Sequence, residues 1–241
     1  MPYGLKEAIE KYNATHAAPL DIKGVLSDMD GVLYDSMKYH TVAWDETMKA
    51  EGFDCTPAEF YLHEGRTGNS TINLYFQRDK GRNAEDEELQ RIYAEKARRF
   101  NAFGEAGLMP GAAEFLAEVK RAGKKIVLVT GSGQKSLLEK IDTDFPGIFT
   151  PGMMVTAFDV KIGKPHPEPY LMGLKKAGLE PSGAVVIENA PLGVEAGASA
   201  GIFTIGVNTG PLPDEVLYEA GADIVFPDMY TLTEELKKFI N

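Results

Sequence analysis

The sequence predicts an α/β protein: a mostly parallel sheet covered by helices on both faces, interrupted once by an all-helical insert. Two observations carry this. From about Asp21 onward, short apolar runs alternate with amphipathic helical stretches, the pattern of repeated βα units. Between Ser36 and roughly Gly107 the alternation stops, and only helical periodicity is left. A length of 241 residues suits one such core with a small inserted domain. An apolar fraction of 44% is ordinary for a chain that buries a sizeable core.

The elements follow in order. Leu5, Ala8, Ile9 and Tyr12 have helical spacing, so a short helix is expected in an N-terminal extension, residues 1–20. GVLSD, KKIVLVT, MMVTAF, AVVIEN, IFTIGV and ADIVF read as strands. The core therefore comprises 21–35 and 108–241, with the insert at 36–107. In the insert, Met37, Trp44 and Met48 share one face of a helix that ends near Gly52. Thr56-Pro57-Ala58-Glu59 has the form of a capping box, and Asn69 is placed to cap a third helix running to Gly81. Leu89, Ile92, Tyr93 and Phe100 stripe a fourth. Back in the core, one helix opens at Pro110 and stops at Gly123, and another stops at Gly178.

A formal net charge of −11 repels nucleic-acid backbones and small anions alike, so nucleic-acid binding is not expected. Any phosphate site must supply its own local positive charge. One cysteine, Cys55, allows no intramolecular disulfide and no cysteine-built zinc site. No apolar stretch is long enough to span a membrane. The first residues, MPYGLKEAIEKYNATHAAPL, lack the charged start and apolar middle of a signal peptide. The expected compartment is the cytoplasm, and the expected state a monomer or weak dimer.

Four strand ends carry candidate chemistry. Asp28-Met29-Asp30-Gly31 follows the first strand, so both carboxylates can enter one cleft from a turn. One carboxylate can attack phosphorus and the other serve as acid and base, although a plain polar turn accounts for the tetrapeptide equally well. In Val129-Thr130-Gly131-Ser132-Gly133, the hydroxyls and the amides that follow can hold a phosphoryl group; helix capping is the commoner use of such a turn. Gly163-Lys164-Pro165-His166-Pro167-Glu168-Pro169 presents Lys164 on a proline-stiffened approach to a helix. Glu188-Asn189 ends another strand with oxygen ligands suited to a hard cation, or with a cap.

Taken together and in this order, these motifs resemble the haloacid dehalogenase superfamily, over nearly everything from about Lys23 onward. The resemblance implies a Rossmann-like core with an inserted helical cap, and magnesium-dependent phosphoryl transfer through an aspartyl-phosphate. By family role, Asp28 is the nucleophile and Asp30 the acid/base. Thr130 and Ser132 bind the phosphoryl group, and Lys164 pairs with Asp28 and phosphate. Asp28 and the backbone carbonyl of Asp30 bind the Mg2+, and Glu188 and Asn189 hold it directly or through water.

Asp35-Ser36-Met37-Lys38-Tyr39-His40 and Trp44 look like the β-phosphoglucomutase group, where a hinge histidine at His40 would ready the acid/base. Two features depart from it. Asn189 stands where the mutase has an aspartate, and Glu64 lies in a cap segment that differs from the mutase's. His63-Glu64-Gly65-Arg66-Thr67-Gly68 with Ile187-Glu188-Asn189-Ala190-Pro191 is similar to the inorganic pyrophosphatases of the superfamily. That likeness implies that Glu64 reaches the metal, Arg66 anchors a distal phosphate or ties cap to core, and Tyr93 narrows the cleft; a solvated charge pair for Glu64 and Arg66, and core packing for Tyr93, are the plain alternatives. The expected substrate is then pyrophosphate or another small phosphate. β-Phosphoglucomutase is the alternative, ahead of a catalytically silent phosphate-binding module.

Overall fold

A computed structural model describes residues 4–240. The first three residues of the N-terminal extension and Asn241 lie outside the described residues. Helix α1 (Leu5–Thr15) precedes β1 (Gly24–Ser27). Helices α2 (Met37–Ala50), α3 (Pro57–Leu62), α4 (Gly68–Lys80) and α5 (Asp86–Ala102) follow, with no strand named among them. Then come α6 (Ala112–Arg121), β2 (Lys125–Val129), two one-turn helices α7 (Lys135–Leu138) and α8 (Ile141–Asp144), and β3 (Met154–Val155). The chain ends with α9 (Glu168–Ala177), β4 (Ala184–Glu188), α10 (Pro191–Ser199), β5 (Phe203–Val207), α11 (Asp214–Glu219), β6 (Ile224–Phe226) and α12 (Met229–Ile240).

The six strands form one sheet in the order β3-β2-β1-β4-β5-β6, and every pair is parallel. Successive side chains point to opposite faces. Val25, Ile126, Leu128, Val185 and Ile187 therefore enter one core with residues of α1, α6 and α12. Leu26, Val127, Val129 and Val186 enter the other, against α9 and α10. Because both faces are covered, β1 and β4 are buried throughout, which is why they read as unbroken apolar runs. The insert has a core of its own, including Trp44, Met48, Phe60, Tyr75, Phe76 and Ile92, with Cys55 buried among them.

Three local expectations are corrected. MMVTAF yields only two strand residues, because Thr156 turns the chain by bonding Asp159 Oδ2 through both its amide and its hydroxyl. At Thr56 no side-chain cap forms: its hydroxyl donates to Glu59 Oε1 instead of accepting from the backbone. The true capping box is Glu85 with Glu88. The third insert helix is capped by Thr67, which accepts from Ser70 N, and not by Asn69. Past Thr130 the chain forms two single helical turns. Among the described residues no helix is long and apolar enough to cross a membrane.

Candidate active site

The sheet register decides which groups meet. Ser27 pairs with Leu128 on one side and with Ile187 on the other. Asp28, Val129 and Glu188 therefore leave the sheet at one height. They do so beside β1, where the strand order reverses direction, the place where open parallel sheets bind ligands.

Lys164 is the hub of this cluster. It is 1% exposed, and its ammonium donates to Asp28 Oδ1 at 2.5 Å, Glu188 Oε1 at 2.6 Å and Val129 O at 3.0 Å. An ammonium has three protons, so all are committed to protein acceptors, and a contact with phosphate requires one of these to be given up. Burial disfavours the charged lysine, but the Asp28 and Glu188 carboxylates outweigh it and hold the ammonium above its ordinary value. For Asp28, burial and then the Glu188 and Asp30 carboxylates outweigh Lys164, and the carboxyl is pushed up to about 8. A buried anion in such company needs further positive charge to stay ionised.

Asp30 is served from the insert side. Its Oδ1 accepts from Ser36 Oγ at 2.5 Å and faces His40 Nε2 at 3.0 Å. The other ring nitrogen, His40 Nδ1, lies 2.6 Å from Lys96 Nζ. The network assigns a neutral imidazole that donates from Nε2 and accepts at Nδ1. Consistently, burial first and Lys96 second lower the His40 pKa. Burial alone would raise Asp30; His40, then Ser36 and Lys96, outweigh it and hold the carboxyl below its ordinary range. Lys96, 2% exposed, is itself brought down to about 7 by burial, against the pull of Asp30.

The insert closes over these groups. Asn189 Nδ2 donates to Glu64 Oε1 at 2.8 Å. Gly133 N donates to the Tyr93 hydroxyl at 3.1 Å, and Gln134 Nε2 to Asn101 Oδ1 at 2.9 Å. A cavity of about 60 Å³ remains, lined by Asp28, Asp30, His40, Glu64, Arg66, Tyr93, Lys96, Thr130 and Ser132, with Trp44 and Phe60 as apolar walls. Thr130 Oγ1 accepts from Ser132 N at 2.9 Å, leaving its own proton free to donate into the cleft. The Arg66 guanidinium donates to Ser70 Oγ at 3.2 Å, and its Nε is buried without a partner. The local positive charge that the overall balance of −11 demanded is thus Lys164, Lys96 and Arg66.

The donor set also fits a divalent cation. Asn189 Oδ1 is a buried acceptor with no hydrogen-bond donor. Beside it, Glu64 is pushed well up, first by burial and then by the Asp28, Glu188 and Asp30 carboxylates. Unpaired oxygens in a crowded anionic pocket match an ion that takes oxygen ligands. Among the described residues no group of three or more His, Cys, Asp or Glu is arranged to hold an ion unaided. Magnesium keeps several waters and shares its sphere with substrate oxygens, so the two are compatible. Asp28, Asp30, Glu64 and Asn189 are available to it. Glu188 is not available directly: Oε1 accepts from Lys164 and Tyr170, and Oε2 from the amides of Asn189 and Ala190. Of the two modes expected for Glu188, direct and through water, either would require it to give up one of these four hydrogen bonds.

The structure thus brings together all the residues singled out in the sequence: Asp28, Asp30, Thr130, Ser132, Lys164, Glu188 and Asn189 on the strand ends, and His40, Glu64, Arg66 and Tyr93 on the insert. Sequence reasoning missed Lys96 and Tyr170. The signal for Lys96 was there. It stands three residues after Tyr93 and four before Phe100, a lysine in the apolar stripe of α5. Nothing in the pattern marked Tyr170.

Fold and site define a class: a parallel α/β hydrolase core with a helical insert after its first strand and a lysine-bridged carboxylate cluster at its strand ends. Residues 22–201 match the haloacid dehalogenase-like hydrolases, and the chain belongs to that family. A Bacteroides vulgatus protein provisionally named a beta-phosphoglucomutase superposes with a TM-score of 0.92 at 52% identity, covering 98% of this chain and 96% of its own. Hexitol phosphatase A of Escherichia coli (strain K12) is 32% identical over 189 residues, 77% of this chain and 83% of the relative. The phosphorylated carbohydrates phosphatase of Thermotoga maritima is 31% identical over 203 residues, 83% and 92% of the two chains. The narrower likeness to inorganic pyrophosphatases has no counterpart among these three and rests on Glu64, Asn189 and their neighbours alone.

Proposed function

We propose that the protein is a phosphohydrolase acting through an aspartyl-phosphate on inorganic pyrophosphate or a comparably small phosphate. The observation that carries this reading is the closed cleft. Glu64 of the insert is bonded to Asn189 of the core over a cavity of about 60 Å³, lined by the cationic side chains of Lys96 and Arg66 beside the carboxyls of Asp28, Asp30 and Glu64.

In the first step an Asp28 carboxylate oxygen attacks phosphorus, and the bond from phosphorus to the leaving oxygen breaks. Lys164 fixes the rotamer of Asp28. Thr130 and Ser132 donate to the equatorial oxygens, and Arg66 meets the distal phosphate. A bound magnesium held by Asp28, Asp30, Glu64 and Asn189 would neutralise charge on the phosphoryl oxygens. In the second step Asp30 takes a proton from water, the water oxygen bonds to phosphorus, and Asp28 is released.

The state of Asp30 favours a small acidic leaving group. His40, Ser36 and Lys96 outweigh burial and hold the carboxyl below its ordinary range, so it rests ionised, with no proton to give and as a weak base. An alkoxide leaving from a sugar needs a proton; a departing phosphate scarcely does. The relatives that act on phosphorylated carbohydrates by name, and the mutase-like neighbour, support sugar phosphates as the second reading.

A panel of pyrophosphate, hexose phosphates and polyol phosphates, assayed with magnesium for released phosphate, separates the readings. A coupled assay from β-glucose 1-phosphate to glucose 6-phosphate runs beside it. Pyrophosphate is expected to give the highest kcat/KM. A hexose phosphate cleaved faster, or mutase turnover, would sink the pyrophosphate reading.

A further inference from the structure

Several glycines line the seam between the insert and the strand ends, and their backbones do not require glycine. Gly68, Gly131, Gly133 and Gly163 all lie outside the left-handed region. What they share is a neighbour across the seam or against it. A β-carbon on Gly131 would meet Gly65 O at 2.1 Å, one on Gly163 the Thr67 methyl at 2.8 Å, and one on Gly133 the Tyr93 hydroxyl at 3.0 Å.

Gly68 is the sharpest case. It is the first residue of α4, an ordinary helical position where alanine is the better helix former. A β-carbon there would fall 2.3 Å from two carbons of the Tyr93 ring. The ring borders the cavity on one side and is tied on others. Trp44 is tilted against it with ring centroids 6.1 Å apart, and the hydroxyl is held from the core by Gly133 N at 3.1 Å.

We propose that Gly68 is a specificity-determining positioning residue: its bare α-carbon is the slot that seats the Tyr93 ring against the core and so sets the cleft to small phosphates. The inference rests on the small-phosphate reading and extends it from the wall to the residue that fixes the wall. A larger side chain at Gly68 shifts the ring and breaks the bond from Gly133. The small substrate then loses both closure and a fitted wall.

The test is a double-mutant cycle of Gly68→Ala and Tyr93→Ala in the full chain with magnesium. kcat and KM are measured for pyrophosphate and for glucose 6-phosphate, with a melting temperature for each variant. Gly68→Ala alone should lower the pyrophosphate kcat/KM, and the pyrophosphate-to-hexose ratio, on the order of tenfold. In the Tyr93→Ala background the same change should move either quantity by no more than about twofold. An equal effect in both backgrounds, or no effect of Gly68→Ala alone, overturns the proposal. If Gly68→Ala alone does not fold, the double variant must fold as well as Tyr93→Ala, since the ring is gone; if it does not, the proposal falls. If the wild type leaves pyrophosphate intact, the substrate reading fails separately, and the cycle is read on acetyl phosphate against glucose 6-phosphate.

Discussion

Replacing Lys164 with methionine would remove the cation from a site with no solvent to take its place. The lysine side chain is 0% exposed, and its two carboxylate partners are 5% and 1% exposed. Glu188 would keep Tyr170 and two backbone amides as donors. Asp28 has no second side-chain donor among its recorded hydrogen bonds, so the loss falls mainly on it. Breaking one side of a buried pair costs about 3–5 kcal/mol, and that is the deficit expected from urea denaturation in EDTA at about pH 8. The pH dependence has a definite sign. Without the ammonium, the folded-state pKa of Asp28, already about 8, moves further above its unfolded value. A carboxyl whose folded pKa is raised destabilises the fold as pH rises above the unfolded value. Relative to the wild type, the deficit should therefore grow as pH rises above about 8, where only the wild-type carboxyl ionises, and level off below that. Adding Asp28→Asn and Glu188→Gln removes the unpaired charges and should restore most of the stability without activity. A deficit below about 1 kcal/mol, the size of an exposed ion pair, or one that grows as pH falls, would refute this reasoning.

Glu64→Gln should act with opposite signs in two assays. It should raise the magnesium concentration for half-maximal activity on the order of tenfold, yet raise the melting temperature in EDTA above neutral pH, because Glu64 is a buried carboxyl pushed well up by burial and its neighbours. An unchanged magnesium requirement would exclude Glu64 from the ion's surroundings. Asp223→Asn probes the far side of the core. Burial raises the Asp223 carboxyl to about 6 although Thr204 N donates to it. Its folded pKa exceeds the unfolded one, so it lowers stability as pH rises through roughly 4 to 6. After allowance for partial exposure, the variant should gain about 1 kcal/mol at pH 7 and nothing near pH 4. An equal gain at both pH values would point to a cause other than charge.

Much of the fold was legible because the sheet is buried on both faces. β1, β2, β4 and β5 appear in the sequence as apolar runs bounded by polar turns. What escaped was decided by single side-chain bonds that periodicity does not record: the Thr156–Asp159 turn that cuts β3 short, and the Thr56 hydroxyl that turns to Glu59. In the site, the strand-end residues were legible as an ordered set of motifs. Their geometry was not. Glu188 has the chemistry of a metal ligand, but its carboxylate oxygens already accept from Lys164, Tyr170 and two amides, a matter of tertiary placement. Lys96 was overlooked because a lysine in a helix stripe ordinarily reaches solvent, and only packing against His40 and Phe100 shows it buried.

Acid quenching during turnover tests the central claim most directly. Pyrophosphate labelled with radioactive phosphorus is mixed with enzyme and magnesium, quenched within the first turnovers and digested. The label should appear on the peptide containing Asp28 and vanish in Asp28→Asn together with activity. Turnover that leaves no label on that peptide, with Asp28→Asn still active, would contradict it.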